Sequence, residues 1–396
     1  MKKIRLLIAA TVPETLATIL AGQPRFLADH YEVELVTSPG DEVEEIKARE
    51  GIGVNVLSMK RGISPIKDFI SICRMLALLY RLKPHVVHSY TPKAGLISMV
   101  AARLMRVPVR IHTFTGLVFP IHSGLKRKIL IWVDRLICAC ATQVVPEGDG
   151  VRADLVRLSV TRDPCLKIGN GNIAGVDTSY FARGSAEVAV SAEKIRAEWK
   201  IDSGQFVFVF VGRLNRDKGV KELVEAFSRI ESDGHLILVG AVDRTAPVDA
   251  DTLRLIERHP RIHQLGFQKD IRGALACADT LILPSYREGF PNVVLQAGAM
   301  GLPVIATDVN GSNEVVENGF NGWLIQPRDV DSLRAAMVAA IQANRGELGR
   351  MGERARARIK ERFEQEEYWK RLLEFYEHCL DAAGIGRGRT ADPRTR

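Results

Sequence analysis

What this chain has little of narrows it first. Aromatic residues make up only 6% of its 396 residues, and no nucleic-acid module signature accompanies its basic residues, so base stacking is a poor reading and no nucleic-acid partner is expected. The six cysteines, at 73, 138, 140, 165, 277 and 379, include no C-x-x-C pair and follow no metal-ligand spacing. Neither a disulfide framework nor a zinc site is therefore expected, and a reduced, cytoplasmic chain fits better. Nowhere do eighteen apolar residues run together, which excludes a bilayer-spanning helix. The opening "MKKIRLLIAATVPET" has the basic tip of a signal peptide, but its apolar part is short and Pro13 and Glu14 follow at once; it reads as a first strand. After that strand comes "AATVPETLATILAG" instead of G-x-G-x-x-G, which argues against a dinucleotide dehydrogenase.

What is present is a globular composition, 46% apolar and 26% charged, long enough for two domains. The charge is unevenly placed. Between Lys60 and Arg135 fourteen Lys and Arg face only Asp68 and Asp134, a local +12 in a chain of net +8, so the remainder carries −4. A basic stretch of this kind meets nucleic acid, an anionic membrane surface or a phosphorylated substrate.

Short apolar runs alternate with helical patterns, twice over. In the first half they are "IRLLIAA", "YEVELVTS", "VNVLSM", "HVVHSY", "VRIHTFTG" and "TQVVP"; in the second, "FVFVFVG", "HLILVG", "IHQLGF", "TLILP" and "PVIATD". Runs that lack polar alternation are strands covered on both faces, and the helices between them supply the cover. The expected fold class is α/β, two Rossmann-like doubly wound parallel-sheet domains facing each other across a cleft. We place the domains at residues 1–175 and 176–363, a C-terminal helix at 364–383 packing back toward the first domain, and a disordered tail at 384–396. A mobile linker is expected near Gly169 to Val176.

In such sheets ligands sit outside the carboxyl ends of the strands. After "FVFVFV" comes "GRLNRDKG", with Gly212, Arg213, Lys218 and Gly219, followed by Val220, Leu223, Val224 and Phe227 at helical spacing. Glycines allow close backbone approach, a helix start seeks anions, Arg213 offers a fork of donors and Lys218 a point charge. The same two cations are equally explained as exposed residues of a turn. The stretch "SYREGFPNVVLQAGAMGLPVIATD" then places Glu288 in a strand-to-helix turn beside the amides of Gly289 and Phe290. Pro291 suits the first helical position, and Asn292 and Gln296 share one helix face. A diphosphate between the cations would leave a ribose and a sugar for these acceptors to satisfy.

"GRLNRDKG" followed by "SYREGFPNVVLQAGAMGLPVIATDVNGSNEVVENGFNGWLI" resembles the nucleotide-sugar-dependent retaining glycosyltransferase family 4, whose fold is GT-B. "HSYTPKAGL" with "RIHTFTG" is similar to its branch that assembles capsule, O-antigen and other glycans. The resemblance implies that Arg213 and Lys218 bind the donor diphosphate, and that Glu288, with Gly289, Phe290 and Pro291 alongside, touches the transferred sugar. The family's second Glu, which holds the ribose hydroxyls, is Gln296 here. A neutral amide still accepts from one hydroxyl and donates to another, but without charge assistance, about twofold weaker in bond strength. Glu288 is not assigned a covalent intermediate. The base-binding loop is expected at "LGFQKDI".

The first domain is expected to bind the acceptor. In "HVVHSYTPKAGLISMVAARL" His88 ends a strand, Thr91 suits an N-cap, and Lys93 lies in the first turn, where it opposes the helix dipole unless an anion comes to that end. His88 reads as a structural histidine or as an acceptor contact. His112, at a strand end before "TFTG", is expected to face the cleft, where the resemblance implies a histidine that contacts sugar and acceptor; a core-rim histidine bonded to backbone is its other reading. In "HSGLKRKILIWVDRLICAC", Leu125, Ile129, Trp132, Val133, Leu136 and Cys140 form one helical face behind Lys126, Arg127 and Lys128. Such a face packs on a sheet or, with Phe119 and Ile121 of the preceding loop, lies on a membrane.

The expected activity is transfer of a hexose or N-acetylhexosamine from a UDP-sugar to a saccharide carried on an undecaprenyl-diphosphate-type lipid, with retention implied by the resemblance. His112, Glu288, Arg213 and Lys218 carry it, and the cations stabilise the departing diphosphate. No D-x-D follows a strand run, so no metal or other cofactor is expected. The protein is expected to be peripheral on the cytoplasmic face of the inner membrane. A nucleotide-sugar epimerase or hydrolase and a non-catalytic binding subunit are the alternatives.

Overall fold

The computed structural model describes residues 3–60, 62–119, 123–161, 165–243 and 246–385. Ile121 and the tail from residue 386 onward lie outside the described residues. The chain divides into two compact units, one of the described residues through Ala174 together with those from Glu366, the other of Gly175–Gln365.

The first unit holds β1 (Arg5–Ala10), β2 (Glu32–Thr37), β3 (Val54–Val56), β4 (Val86–Tyr90), β5 (Val109–Phe114) and β6 (Gln143–Pro146), in the order β3-β2-β1-β4-β5-β6. The second holds β7 (Val207–Val211), β8 (His235–Val239), β9 (Ile262–Gly266), β10 (Thr280–Leu283), β11 (Val304–Thr307) and β12 (Gly322–Ile325), in the order β12-β11-β10-β7-β8-β9. Every pairing is parallel. This is the doubly wound α/β architecture expected, in duplicate. All eleven apolar runs became strands. Only β12 escaped the sequence reading, because "GWLI" is a four-residue edge strand whose apolar run is only three residues long, with two half-buried positions.

Central strands are buried on both faces, as continuous apolar runs require: Val207, Phe208, Val209 and Phe210 have no exposure. Helix Gln365–Ala382 contributes Leu372, Tyr376, Cys379 and Leu380 to the same core as Leu6, Ile8 and Tyr90 of the first unit. All six cysteines are free. Among the described residues no helix is long and apolar enough to cross a membrane.

Each sheet has one place where chain order reverses, between β1 and β4 and between β7 and β10. Connections there leave in opposite directions and open a crevice at the carboxyl ends of the strands.

Candidate active site

In the second unit the crevice lies above β7 and β10. The segment after β7 turns through a short 3-10 helix, Arg216–Lys218, before helix Val220–Ser228 begins. Gly219 between them has φ +68, and a Cβ there would sit 2.2 Å from the carbonyl oxygen of Pro284. Only glycine fits, and its closeness to the end of β10 brings Lys218 against Glu288. Lys218 Nζ donates to Glu288 Oε1 at 2.5 Å, with both side chains largely buried. Nearby, Arg213 Nη1 donates to Asp243 Oδ2 at 2.6 Å. Arg213 remains 63% exposed while Asp243 is almost covered.

Neither cation is the bare charge that the sequence suggested, since each holds a carboxylate. Asp243 also accepts from Asn215 Nδ2 at 3.1 Å, and Asn215 Oδ1 caps the Lys218 amide at 3.0 Å. One carboxylate thus orients Arg213 directly and the Lys218 turn through Asn215. Sequence reasoning missed both residues. Asn215 had a legible signal, an N-cap residue three before Lys218; Asp243 had none, because it arrives from the segment after β8.

The other predicted donor residues divide. Phe290 is buried and packs on Phe363 at 5.5 Å between ring centroids, and Pro291 is also buried, so both can offer a ligand backbone alone. Pro291 is the N-cap, one residue before the expected position, and the helix runs Asn292–Ala299. Asn292 and Gln296 sit half-buried one turn apart on it. Gly311 presses on this turn from the segment after β11, where a Cβ would meet the carbonyl oxygen of Gly289 at 2.3 Å. Tyr286 donates its hydroxyl to Glu222 at 2.6 Å under the Arg328 guanidinium, 4.5 Å from its ring centroid. Gly212 directly follows β7, and in the loop after β9 Phe267 stands exposed.

In the first unit the crevice above β1 and β4 contains the start of helix Pro92–Leu104. Thr91 occupies the N-cap position, but its hydroxyl does not cap the helix. Thr11, from the loop after β1, accepts from the Ala94 amide at 3.0 Å and bonds the Thr91 hydroxyl at 2.6 Å. This crossed arrangement accompanies a φ of +74 at Thr91, an outlying conformation for a β-branched residue. Lys93 does not await an anion alone: its ammonium contacts both oxygens of Asp68, at 2.8 and 2.7 Å. That pairing offsets the dipole penalty, which corrects the reading of Lys93 as an unmatched cation.

The two candidate histidines of this unit, His88 and His112, are both fully buried. His88 bonds the Tyr376 hydroxyl through Nδ1 at 2.6 Å and the Thr113 hydroxyl through Nε2 at 2.7 Å. Both His88 nitrogens are thus occupied by protein hydroxyls, which favours its structural reading over an acceptor contact. His112 does not open to solvent as expected; its ring lies against the backbone of Gly95, where a Cβ would stand 2.4 Å from Cε1. Its Nδ1 bonds Ser89 Oγ at 2.9 Å, and its Nε2 is buried without a hydrogen-bond partner. Burial pushes its pKa down to about 3, so the ring is neutral.

Helix Gly124–Cys140 buries Asp134, Ile137 and Cys140. The face expected to pack is split, with Val133 and Leu136 half-buried and Leu125 and Trp132 standing in solvent.

Comparison with known proteins agrees with this fold. Residues 17–171 match the family model of the glycosyl transferase 4-like domain, and residues 205–343 that of glycosyl transferases group 1. The chain is 31% identical over 293 residues to the Escherichia coli UDP-Gal:alpha-D-GlcNAc-diphosphoundecaprenol alpha-1,3-galactosyltransferase, covering 72% of this chain and 73% of the relative. It is 26% identical over 386 residues to the capsular polysaccharide biosynthesis glycosyltransferase CapM of Staphylococcus aureus, 96% of this chain and 98% of the relative. Among solved structures, Anabaena HepE in complex with UDP and glucose superimposes with a TM-score of 0.81 at 19% identity, over 95% of this chain and all of that one. The fold is GT-B. This chain belongs to the family 4, group 1 glycosyltransferases.

Proposed function

We propose that this glycosyltransferase moves a hexose or N-acetylhexosamine, with retention, from a UDP-sugar to a saccharide carried on a lipid diphosphate, during assembly of a surface polysaccharide. The observation that carries the reading is the Arg213, Lys218 and Glu288 constellation at the β7/β10 crevice. A cation in contact with a carboxylate, with a second cation tied to the same turn through Asp243 and Asn215, is what a diphosphate joined to a sugar requires. In the resting pairs each cation is held by a carboxylate. Donor arrival exchanges these partners: phosphate oxygens replace Glu288 on Lys218, and Glu288 turns to the sugar hydroxyls. As the bond from the anomeric carbon to the phosphate oxygen breaks, its electron pair goes to the diphosphate, where the two cations stabilise the charge. The acceptor hydroxyl oxygen forms the new bond to the anomeric carbon, and its proton goes to the departing diphosphate.

The names of the two relatives support the capsule and diphospholipid assignment, and the complex of HepE with UDP and glucose supports the donor. The unpartnered Nε2 of His112 supports its assignment as a contact for donor or acceptor: a buried polar nitrogen without a partner costs about 1–3 kcal/mol, which a substrate hydroxyl relieves. A membrane-linked acceptor also fits the exposed Leu125 and Trp132 beside Lys126 and Lys128, as a surface that works peripherally on the cytoplasmic face of a membrane. The test is radiolabelled UDP-sugar incubated with the protein and a membrane extract. Label entering the lipid fraction is expected. Free labelled sugar alone would make the protein a hydrolase, and unchanged donor would make it a binding subunit.

A further inference from the structure

Helix Pro65–Leu82 is apolar on two sides. Ser71, Met75 and Leu79, spaced by four, are its buried stripe. On its outer side Ile66, Phe69, Ile70 and Tyr80 stand in solvent, Ile66 at 78% and Phe69 at 67% exposure, and Ile63 extends the patch into the preceding loop. One apolar stripe is all that packing on a sheet requires. A second stripe of large uncovered side chains marks a surface that something else covers.

The charges indicate what covers it. Lys67, Arg74 and Arg81 recur every seven residues beside this stripe, and all three are exposed. Asp68, the only acid in the helix, is withdrawn into its pair with Lys93. The outer face is therefore apolar and cationic. A second copy of this chain would bring the same cations to the contact and be repelled, whereas an anionic lipid surface complements both properties.

Topology gives the face a direction. Helices Pro65–Leu82, Pro92–Leu104 and Gly124–Cys140 follow β3, β4 and β5 and so begin at the carboxyl edge of the sheet, with the middle helix packed between the other two. Ile66, Phe69 and Ile70 lie in the first two turns of one flanking helix and Leu125 in the first turn of the other. Exposed apolar side chains thus gather at the edge where Thr11, Thr91 and the start of the middle helix form the crevice. We propose that Ile63, Ile66, Phe69 and Ile70 insert into the headgroup boundary of an anionic bilayer, with Lys67 and Arg74 on its phosphates, so that the acceptor crevice opens at the lipid surface. The proposal rests on the lipid-linked acceptor reading only for its purpose; the docking itself is tested without any acceptor.

The experiment is flotation of the full chain with vesicles of phosphatidylcholine, with and without phosphatidylglycerol. We expect binding at least about tenfold stronger to the anionic vesicles, falling with salt. The triple variant Ile66→Asp, Phe69→Asp, Ile70→Asp alters exposed positions only, so its melting temperature and UDP-induced thermal shift stay as in the parent. Its vesicle binding falls at least about tenfold. Lys67→Gln with Arg74→Gln loses about fivefold per charge at low salt. Equal flotation of the Asp variant and the parent, or no flotation of the parent, overturns the proposal. So does a parent that is dimeric by light scattering and becomes monomeric in the Asp variant, because the stripe is then a contact between copies. Sugar transfer to a short-chain, water-soluble acceptor, scored separately, is retained by the Asp variant. If flotation behaves as stated while no variant or parent transfers sugar, the transferase reading fails and the docking surface stands.

Discussion

Lys218 Nζ and Glu288 Oε1 meet at 2.5 Å although seventy residues separate them in the chain, and they do so where β7 and β10 diverge. The pair neutralises the two groups that a sugar diphosphate would need charged, so substituting either member separates nucleotide binding from transfer.

Glu288→Gln removes the carboxylate that competes with phosphate for Lys218. UDP should bind this variant at least as tightly as the parent in calorimetry, while sugar transfer falls about a hundredfold. Lys218→Gln should instead lose UDP affinity about 10- to 100-fold, the worth of one hydrogen bond to a charged group. Equal losses of UDP affinity in both variants would contradict the exchange of partners.

Asp243 contacts Arg213 and Asn215, so it acts by holding the cations in place. In Asp243→Asn the orientation of Arg213 and of the Lys218 turn is loosened. The donor KM should rise about tenfold with kcat little changed, the loss of one charge-assisted bond acting through geometry. Asn215→Ala should move KM in the same direction. A fall in kcat at constant KM would place Asp243 in the chemistry itself.

These two residues also mark the limit of what the sequence made legible. Strands covered on both faces announce themselves as unbroken apolar runs, and the residues that follow them, Arg213, Lys218 and Glu288, were found for that reason. Their partners were harder to find. Asp243 lies 30 residues from Arg213, and Asp68 lies 25 from Lys93. No periodicity ties such pairs together, since the parallel crossover decides which loops adjoin. For His112 the strand end was legible but the burial was not, because the ring's shelter comes from Gly95 on the next helix inward. Helix Pro65–Leu82 shows the same limit from the other side: only the fold reveals that Ile66 and Phe69 are left uncovered.

Gln296 sits half-buried on the helix Asn292–Ala299, one turn after Asn292. Under the ribose-binding reading, Gln296→Glu turns a neutral hydrogen bond into a charge-assisted one at nearly constant volume. UDP and UDP-sugar should both bind about five- to tenfold more tightly, roughly the difference between the two bond types. Competition calorimetry against UMP, which keeps the ribose and loses one phosphate, should show the same gain. An unchanged UDP affinity would mean that this side chain does not reach the ribose.

Acid stability tests the buried histidines. His112 is neutral in the folded chain because burial pushes its pKa down to about 3, and His88 is lowered well below its ordinary value by burial and by the neighbouring His112. Unfolded, both titrate near 6.5. The unfolded state therefore binds more protons at mildly acidic pH, and the stability present above pH 6.5 is lost as pH falls toward 3, by about 1.4 kcal/mol per pH unit for each histidine. The groups against the His112 ring, Ser89, Phe114 and Gly95, carry no charge to offset this, and His88 nearby is itself neutral. Urea midpoints measured from pH 7.5 to 5 should fall more steeply for the parent than for His112→Gln, which is less stable at pH 7.5 but loses less on acidification. His263, held at about 4 by burial and His235, adds the same slope to both proteins and cancels in the comparison. Parallel slopes for parent and variant would show that His112 titrates alike in the folded and unfolded chain, and would remove the buried, neutral imidazole from the account of the acceptor crevice.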